Sequence, residues 1–314
     1  MNDGAVTGAE RILVIKLGAL GDIVQALGPL AAIRRHHPRA HITALTTAPF
    51  VPLLAASPSV DEIWIDPRPR SWQLGTWLSL RRKLRGGRFG RVYDLQTSGR
   101  SSFYFRLFGP GQRPEWSGIA TGGSHPHANP RRDFMHTIER QAEQLRDAGI
   151  ADVPPTDVSW LTADLARYAL PQRFALLVPG GSAARLQKRW PAASYGALAR
   201  RLLARGITPV VIGIASERPL AATIRASCPE ARDLTGQTSF AEIAALAREA
   251  QAAVGNDTGP MHLIAAAGCP SVVLFSADSD PALCAPRGQV TVLRRADLAQ
   301  LAADEVAAAL PPVV

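Results

Sequence analysis

Asp22 follows Gly21 in the stretch "KLGALGDIVQ", where a strand gives way to a helix. Gly18 and Gly21 permit a tight turn there that a ligand can approach closely. The helix dipole keeps an aspartate at such a turn ionised, and it can accept a proton from a substrate hydroxyl. The same residue also reads as an ordinary N-cap, worth about 1 kcal/mol of helix stability. In "VPGGSAARLQKRWP", the amides of Gly180, Gly181 and Ser182 precede Lys188 by a few residues. Unhindered amides with one ammonium group suit a phosphate, although the spacing is not that of a P-loop. A flexible polar loop has the same composition. In "VIGIASERP", Glu217 follows a strand, where it can accept from ribose hydroxyls or simply occupy the first turn of a helix. The fourth stretch is "VGNDTGPMHLIAAAGCPSVVLF", Val254 to Phe275. Asp257 or Thr258 is expected to cap its helix, and Gly259 leaves room for a ligand. The first-turn amides favour an anion, and His262 adds a donor. Asp257 can accept from a sugar hydroxyl and Thr258 offers its own. Together these groups suit a polar, phosphorylated ligand.

Parallel βαβ units are what place such turns. Short β-rich runs ("RILVIK", "HITALT", "DEIWI", "RVYDLQ") alternate with helical ones as far as "FMHTIERQAEQLRDAG". The first long helix, from Asp22, is expected to kink at Pro29, and Ser117 to Pro130 reads as a loop. The alternation restarts at "FALLVP" and continues through "TPVVIG", "AAVG", "SVVLF" and "VTVL" to an amphipathic segment, "DLAQLAADEVAAAL". A Pro-rich segment, "ADVPPTDVSWLTAD", joins the two runs. The fold class is α/β, with two Rossmann-like domains of parallel sheet, residues 1–160 and 161–314, facing across a cleft. The last helix is left the option of packing back on the first domain. In parallel sheets ligands bind beyond the carboxyl ends of the strands, where all four stretches fall.

The 314 residues, 46% apolar, can bury two cores. The uncharged run Thr258–Ala277 is long enough to suggest a membrane span, but Gly268-Cys269-Pro270 interrupts it. The first ten residues lack the apolar core of a signal peptide, and Cys228, Cys269 and Cys284 show no metal spacing. The cytoplasm is the simplest compartment. The net charge of +9 favours an anionic partner or serves solubility alone. "RRKLRGGRFGR" (Arg81–Arg91) follows Trp72 and Trp77, which suits an interfacial helix on the anionic inner membrane, a dock for an acidic glycolipid, or a solvated basic helix. Asp278-Ser279-Asp280 has the form of a D-x-D metal motif and equally of a turn. The G-x-G-x-x-G fingerprint is missing, which disfavours an NAD-dependent oxidoreductase. No aromatic-and-basic motif supports nucleic acid as a partner.

Taken together, "KLGALGDIVQALGPLAAIRR", "PGGSAARLQKRWP" and above all "VGNDTGPMHLIAAAGCPSVVLF" resemble glycosyltransferase family 9, the ADP-heptose:lipopolysaccharide heptosyltransferases. The resemblance spans nearly the whole chain in order, and "FMHTIER" around His136 to Arg140 extends it. It implies a GT-B fold and an inverting transfer from a nucleotide-sugar donor to an acidic glycolipid acceptor. No cofactor or metal is implied. By the same resemblance, Asp22 is the general base and Lys188 contacts the donor diphosphate. Asp257, Thr258 and Gly259 form the nucleotide-sugar loop and Glu217 lies near the ribose. Gly21 and Arg140 fall on the acceptor side. The chain departs from the family at "FSADSDP", one residue longer than the usual Phe-Gly-Pro-Thr-Asp-Pro, and at Ala183-Ala184, where some members carry two threonines. A GT-B-like epimerase, a family member with another donor sugar and a non-catalytic solute receptor are the competing readings.

Overall fold

The structure, a computed structural model, describes residues 10–111, 113–182 and 185–311. The chain divides between Thr156 and Asp157 into two compact units.

The first unit is built on β1 (Arg11–Ile15), β2 (His41–Thr46), β3 (Glu62–Ile65), β4 (Arg91–Asp94), β5 (Glu115–Gly118) and β6 (His125–Pro126). The second uses β7 (Phe174–Val178), β8 (Thr208–Val211), β9 (Arg232–Asp233), β10 (Ala252–Asn256), β11 (Ser271–Phe275) and β12 (Val290–Arg294). The first sheet runs β3-β2-β1-β4-β5-β6 and the second β12-β11-β10-β7-β8-β9. Counted within its own unit, each sheet has the order 3-2-1-4-5-6, with every pairing parallel. In each, the strand order reverses beside the first strand: between β1 and β4, and between β7 and β10. That reversal opens a crevice at the carboxyl ends of the two strands.

Helices cover both faces of each sheet, so the central strands are nearly continuous apolar runs. Ile12, Leu13, Val14 and Ile15 are all buried, as is every residue of β7, β10 and β11. Val14 pairs with Ala44 on one side and Tyr93 on the other, and Val254 with Leu177 and Val272. Trp116, Tyr104 and Phe108 fill the first core and Trp190 and Tyr195 the second.

Several elements differ from the sequence expectation. The first helical stretch breaks at Ala26, into Leu20–Gln25 and Leu27–His36, rather than at Pro29. Proline clashes with the carbonyl four residues upstream, which here is Gln25, so its effect falls one turn early. Ser117–Pro130 contains the end of β5 and all of β6. Pairing of Ser117 with Tyr93 and with His125 makes these short polar segments strands. The helix Gly99–Phe108 was not expected. The helix Thr137–Asp147 starts later than predicted, because His136 Nδ1 accepts from the Ile138 amide at 3.2 Å and caps it. The last helix, Ala303–Ala308, is shorter than the amphipathic segment suggested, and it packs within the second unit. Leu298, Leu301, Val306 and Ala307 fill the second core, and Leu301 O accepts from Trp190 Nε1 at 3.0 Å.

Candidate functional site

In the second unit, the residues singled out by spacing come together at the β7/β10 crevice. Lys188 Nζ lies 2.9 Å from Asp257 Oδ2, and both side chains are nearly buried. Ser279 donates its hydroxyl to the same Asp257 oxygen at 2.6 Å. The Asp257 carboxylate is therefore occupied and does not cap the following helix. Thr258 holds the N-cap position, with extended backbone, but makes no side-chain cap bond either. The expected side-chain cap is absent. The helix Gly259–Ala266 therefore starts without a side-chain bond from its N-cap residue, and Pro260 contributes no N–H. Such a turn attracts an anion through its remaining amides and its dipole. His262, the fourth residue of this helix, is 8% exposed.

Glu217 is tied to the glycine turn. Its Oε1 accepts from Gly181 N at 3.0 Å and its Oε2 from Ile214 N at 2.9 Å. A Cβ on Gly180 would lie 2.0 Å from Oε1, so only glycine leaves room for the carboxylate. Glu217 thus props the turn open, and each oxygen keeps capacity for a second bond to a ligand hydroxyl. Ser182 at the tip is exposed. Ala183 and Ala184 lie outside the described residues.

Asn256 was missed by sequence reasoning. It is fully buried. Its Oδ1 accepts from Trp190 N at 2.9 Å and Tyr195 Oη at 3.1 Å. Its Nδ2 donates to Pro179 O at 2.8 Å and Gly180 O at 3.0 Å. One side chain therefore fastens the glycine turn, the lysine segment and the end of β10 together. A buried amide with every bond satisfied is rigid, because any movement leaves a polar group unpaired. The only sequence signal was its place just before Asp257. Arg189 was also missed; it donates to Gly181 O and holds the turn from the other side. The Asp278-Ser279-Asp280 run is a turn: Asp280 caps the helix Pro281–Cys284 by accepting from Ala282 N at 3.1 Å. Among the described residues, no three His, Cys, Asp or Glu side chains are grouped to hold a metal ion.

The first unit has a different character at its own crevice. Asp22 is the third residue of the helix Leu20–Gln25, and its Oδ2 accepts from Ala19 N at 2.9 Å. It caps the turn that it stands on, and its second oxygen can still accept a proton. Gly18 has φ +120°, and a Cβ there would fall 2.3 Å from the Phe50 ring, so the turn requires glycine. Lys16 directly follows β1 and donates to Leu95 O at 3.1 Å. Burial pushes its ammonium below the ordinary value, against the raising influence of Asp22. Arg140 is lowered by burial and by Arg132, with Asp133 and Asp22 opposing. Arg140 Nε and Arg132 Nε and Nη2 are buried without a hydrogen-bond partner. Asp94 is fully buried, and desolvation pushes its carboxyl up to about 7. Lys16, Arg132 and Asp94 add to the sequence reading; a lysine directly after a buried strand was a usable signal, whereas Arg132 had none. Beside these groups, a cavity of about 550 Å³ is lined by Gly18, Ala19, Gln96, Ser98, Arg68 and Arg100. Gln96 Oε1 accepts from Leu17 N at 2.8 Å, which fixes one wall.

The two sites offer different chemistry. The second presents amides, a helix terminus and an ammonium for a diphosphate. The first presents a carboxylate among under-satisfied cations, suited to a hydroxyl on an anionic molecule.

The model of glycosyltransferase family 9 (heptosyltransferase) matches residues 77–305. Lipopolysaccharide heptosyltransferase 2 of Escherichia coli K12 is 26% identical over 291 residues, covering 86% of this chain and 83% of that protein. The crystal structure of a family 9 glycosyl transferase from Veillonella parvula aligns with TM-score 0.81 and 19% identity, over 96% of this chain and 95% of that one. The E. coli heptosyltransferase WaaC with ADP-2-deoxy-2-fluoro heptose aligns with TM-score 0.75 and 20% identity, over 94% and 97%.

Proposed function

This chain belongs to glycosyltransferase family 9, the heptosyltransferase family, and on that premise we propose that it moves heptose from ADP-heptose to a lipopolysaccharide-core acceptor. It is a glycosyltransferase with the GT-B fold's pair of Rossmann-like units. The Lys188–Asp257 pair, set between the Gly180–Gly181 turn and the uncapped helix at Gly259, carries the reading. A donor diphosphate would displace the carboxylate from the ammonium and take the amides as its other partners. As the anomeric bond breaks, charge grows on the diphosphate and these fixed dipoles meet it. Asp257, released, accepts from a sugar hydroxyl, and Glu217 from the ribose. In the first unit, Asp22 takes the proton of the attacking acceptor hydroxyl. Attack opposite the leaving group inverts the anomeric centre. Lys16, Arg132 and Arg140 hold the acidic groups of the acceptor. No metal ion enters this scheme, since Lys188 and the amides supply the positive charge.

The acceptor is an anionic lipid, and the chain's charge suits a peripheral contact with an anionic membrane surface. From Pro67 to Pro114 it carries eleven Arg and Lys and a single acid, Asp94, which is buried. The formal charge of this segment, +10, exceeds the +9 of the whole protein. On the helix Leu74–Gly86, Leu78, Arg81 and Arg85 share an exposed face, while Leu80 and Leu84 face the core. No helix among the described residues is long and apolar enough to cross a membrane. Vesicles containing anionic lipid should pull the protein down, and replacement of Arg81, Arg82, Lys83 and Arg85 by Ser should abolish this.

Thermal-shift titration against ADP, UDP, GDP and their sugars tests the donor assignment. ADP and ADP-heptose should raise Tm most. A larger shift with UDP or GDP would refute ADP-heptose as donor.

A further inference from the structure

Next to the polar cavity of the first unit lies a second one, of about 570 Å³, whose walls are Pro69, Leu74, Trp77, Phe103, Leu107 and Arg100. Arg100 belongs to both cavities. The apolar walls are held in place rather than loosely exposed. Trp77 Nε1 donates to Arg70 O at 3.0 Å, and the Trp77 and Phe103 rings stack edge to face at 5.2 Å. The Arg100 guanidinium lies 5.8 Å from the centre of the Trp77 ring and donates to Pro69 O at 3.2 Å. Leu74 is 70% exposed and Phe103 41%, so the cavity opens to the surface through apolar side chains. A volume of this size lies within the range of about 300–1,000 Å³ typical of small-molecule sites. Leucines and aromatic rings held open to water and edged by Arg100 suit a ligand that is apolar at one end and anionic at the other.

We infer that this cavity seats an acyl chain of the anionic lipid that carries the acceptor sugar. The inference rests on the reading of the acceptor as a glycolipid. Arg100, at the wall shared by the two cavities, faces the phosphate or carboxylate where the lipid meets its sugars. The saccharide then continues into the polar cavity beside Gly18 and Ala19. The contact is with one lipid molecule and is separate from the exposed face of Leu78, Arg81 and Arg85, which is outside the cavity.

A bromine-labelled stearoyl lysophosphatidic acid, kept below its micelle concentration, tests the seat directly, because bromine quenches an indole that it touches. In a Trp72→Phe background the cavity's own Trp77 reports. Saturable quenching is expected. Phe103→Asp, at an exposed position, should weaken it on the order of 100-fold, as loss of several buried methylene contacts implies. Leu74→Asp should do the same, and Leu78→Ser should leave it unchanged. Quenching that does not saturate, or that survives Phe103→Asp and Leu74→Asp, overturns the inference. A kinetic arm tests whether the bound chain belongs to the acceptor. Deacylated acceptor should show a higher KM than acylated acceptor at unchanged kcat, and Phe103→Asp should erase that difference. Equal KM values in the parent protein would also overturn the inference. Quenching requires no transfer, so saturable quenching without heptose transfer would count against the functional reading and in favour of the cavity.

Discussion

The two units share one sheet order and use its crevice in opposite ways. At β7/β10 the polar groups already have partners: Lys188 has Asp257, Asp257 has Ser279, and Asn256 and Glu217 are bonded to backbone. At β1/β4 the charges are poorly matched. Among the described residues, Lys16 is buried with only the Leu95 carbonyl as acceptor, Asp94 is pushed up to about 7, and Arg132 and Arg140 share the carboxylate of Asp133 while Nε of each has no partner. A site of the first kind is pre-organised, and its ligand exchanges one partner for another at little cost in reordering. A site of the second kind carries desolvated charge that an acidic ligand would neutralise. The same scaffold can therefore fix a donor rigidly and hold an anionic acceptor by electrostatics.

This contrast can be broken by mutation. Asp22→Asn retains an oxygen for the Ala19 amide but removes the base, so transfer should fall by about 10²–10⁴-fold with ADP affinity unchanged. Steady-state rates beside ADP titration calorimetry check this, and normal turnover would remove Asp22 from the chemistry. Lys188→Ala should lower kcat/KM by about 10²–10³-fold and weaken ADP binding. A loss confined to the acceptor KM would mean that the two units' roles are reversed. Asn256→Ala should destabilise the second unit by about 3 kcal/mol, a Tm drop of roughly 6–12 °C, because several buried groups lose their partner. A shift below about 1 °C by calorimetry would show that the turn is not held by this residue.

The smallest effect is on pH dependence. Asp94 has a folded-state pKa above its unfolded value of 3.8, at about 7. The folded chain therefore binds more protons at this site between those values. Its contribution to stability is full below pH 3.8 and is lost as pH rises toward about 7. Asp94→Asn should flatten the decline in Tm across that range. An unchanged slope would place the titration elsewhere.

Much of this was legible in the sequence, for reasons that differ by residue. Strands buried on both faces, such as β7, β10 and β11, announce themselves as apolar runs. Gly180, Lys188, Asp257 and Gly259 stood out because residue type and position after a strand coincide. β5 and β6 were not legible, since Glu115–Gly118 and His125–Pro126 are strands only because a neighbour offers a ladder to pair with. The fate of the Asp257 carboxylate was also hidden. An aspartate preceding a helix reads as a cap, and only its proximity to Lys188 and Ser279, distant in sequence, assigns it elsewhere. Asn256 and Arg132 act through contacts that leave no periodic or compositional trace.

The most direct test of the central claim is ADP release from ADP-heptose, followed with and without a heptose-deficient core acceptor, in the presence of a metal chelator. The account predicts acceptor-dependent release that the chelator does not slow. Release at the same rate without acceptor, or activity lost to chelator and restored by a divalent cation, would contradict it.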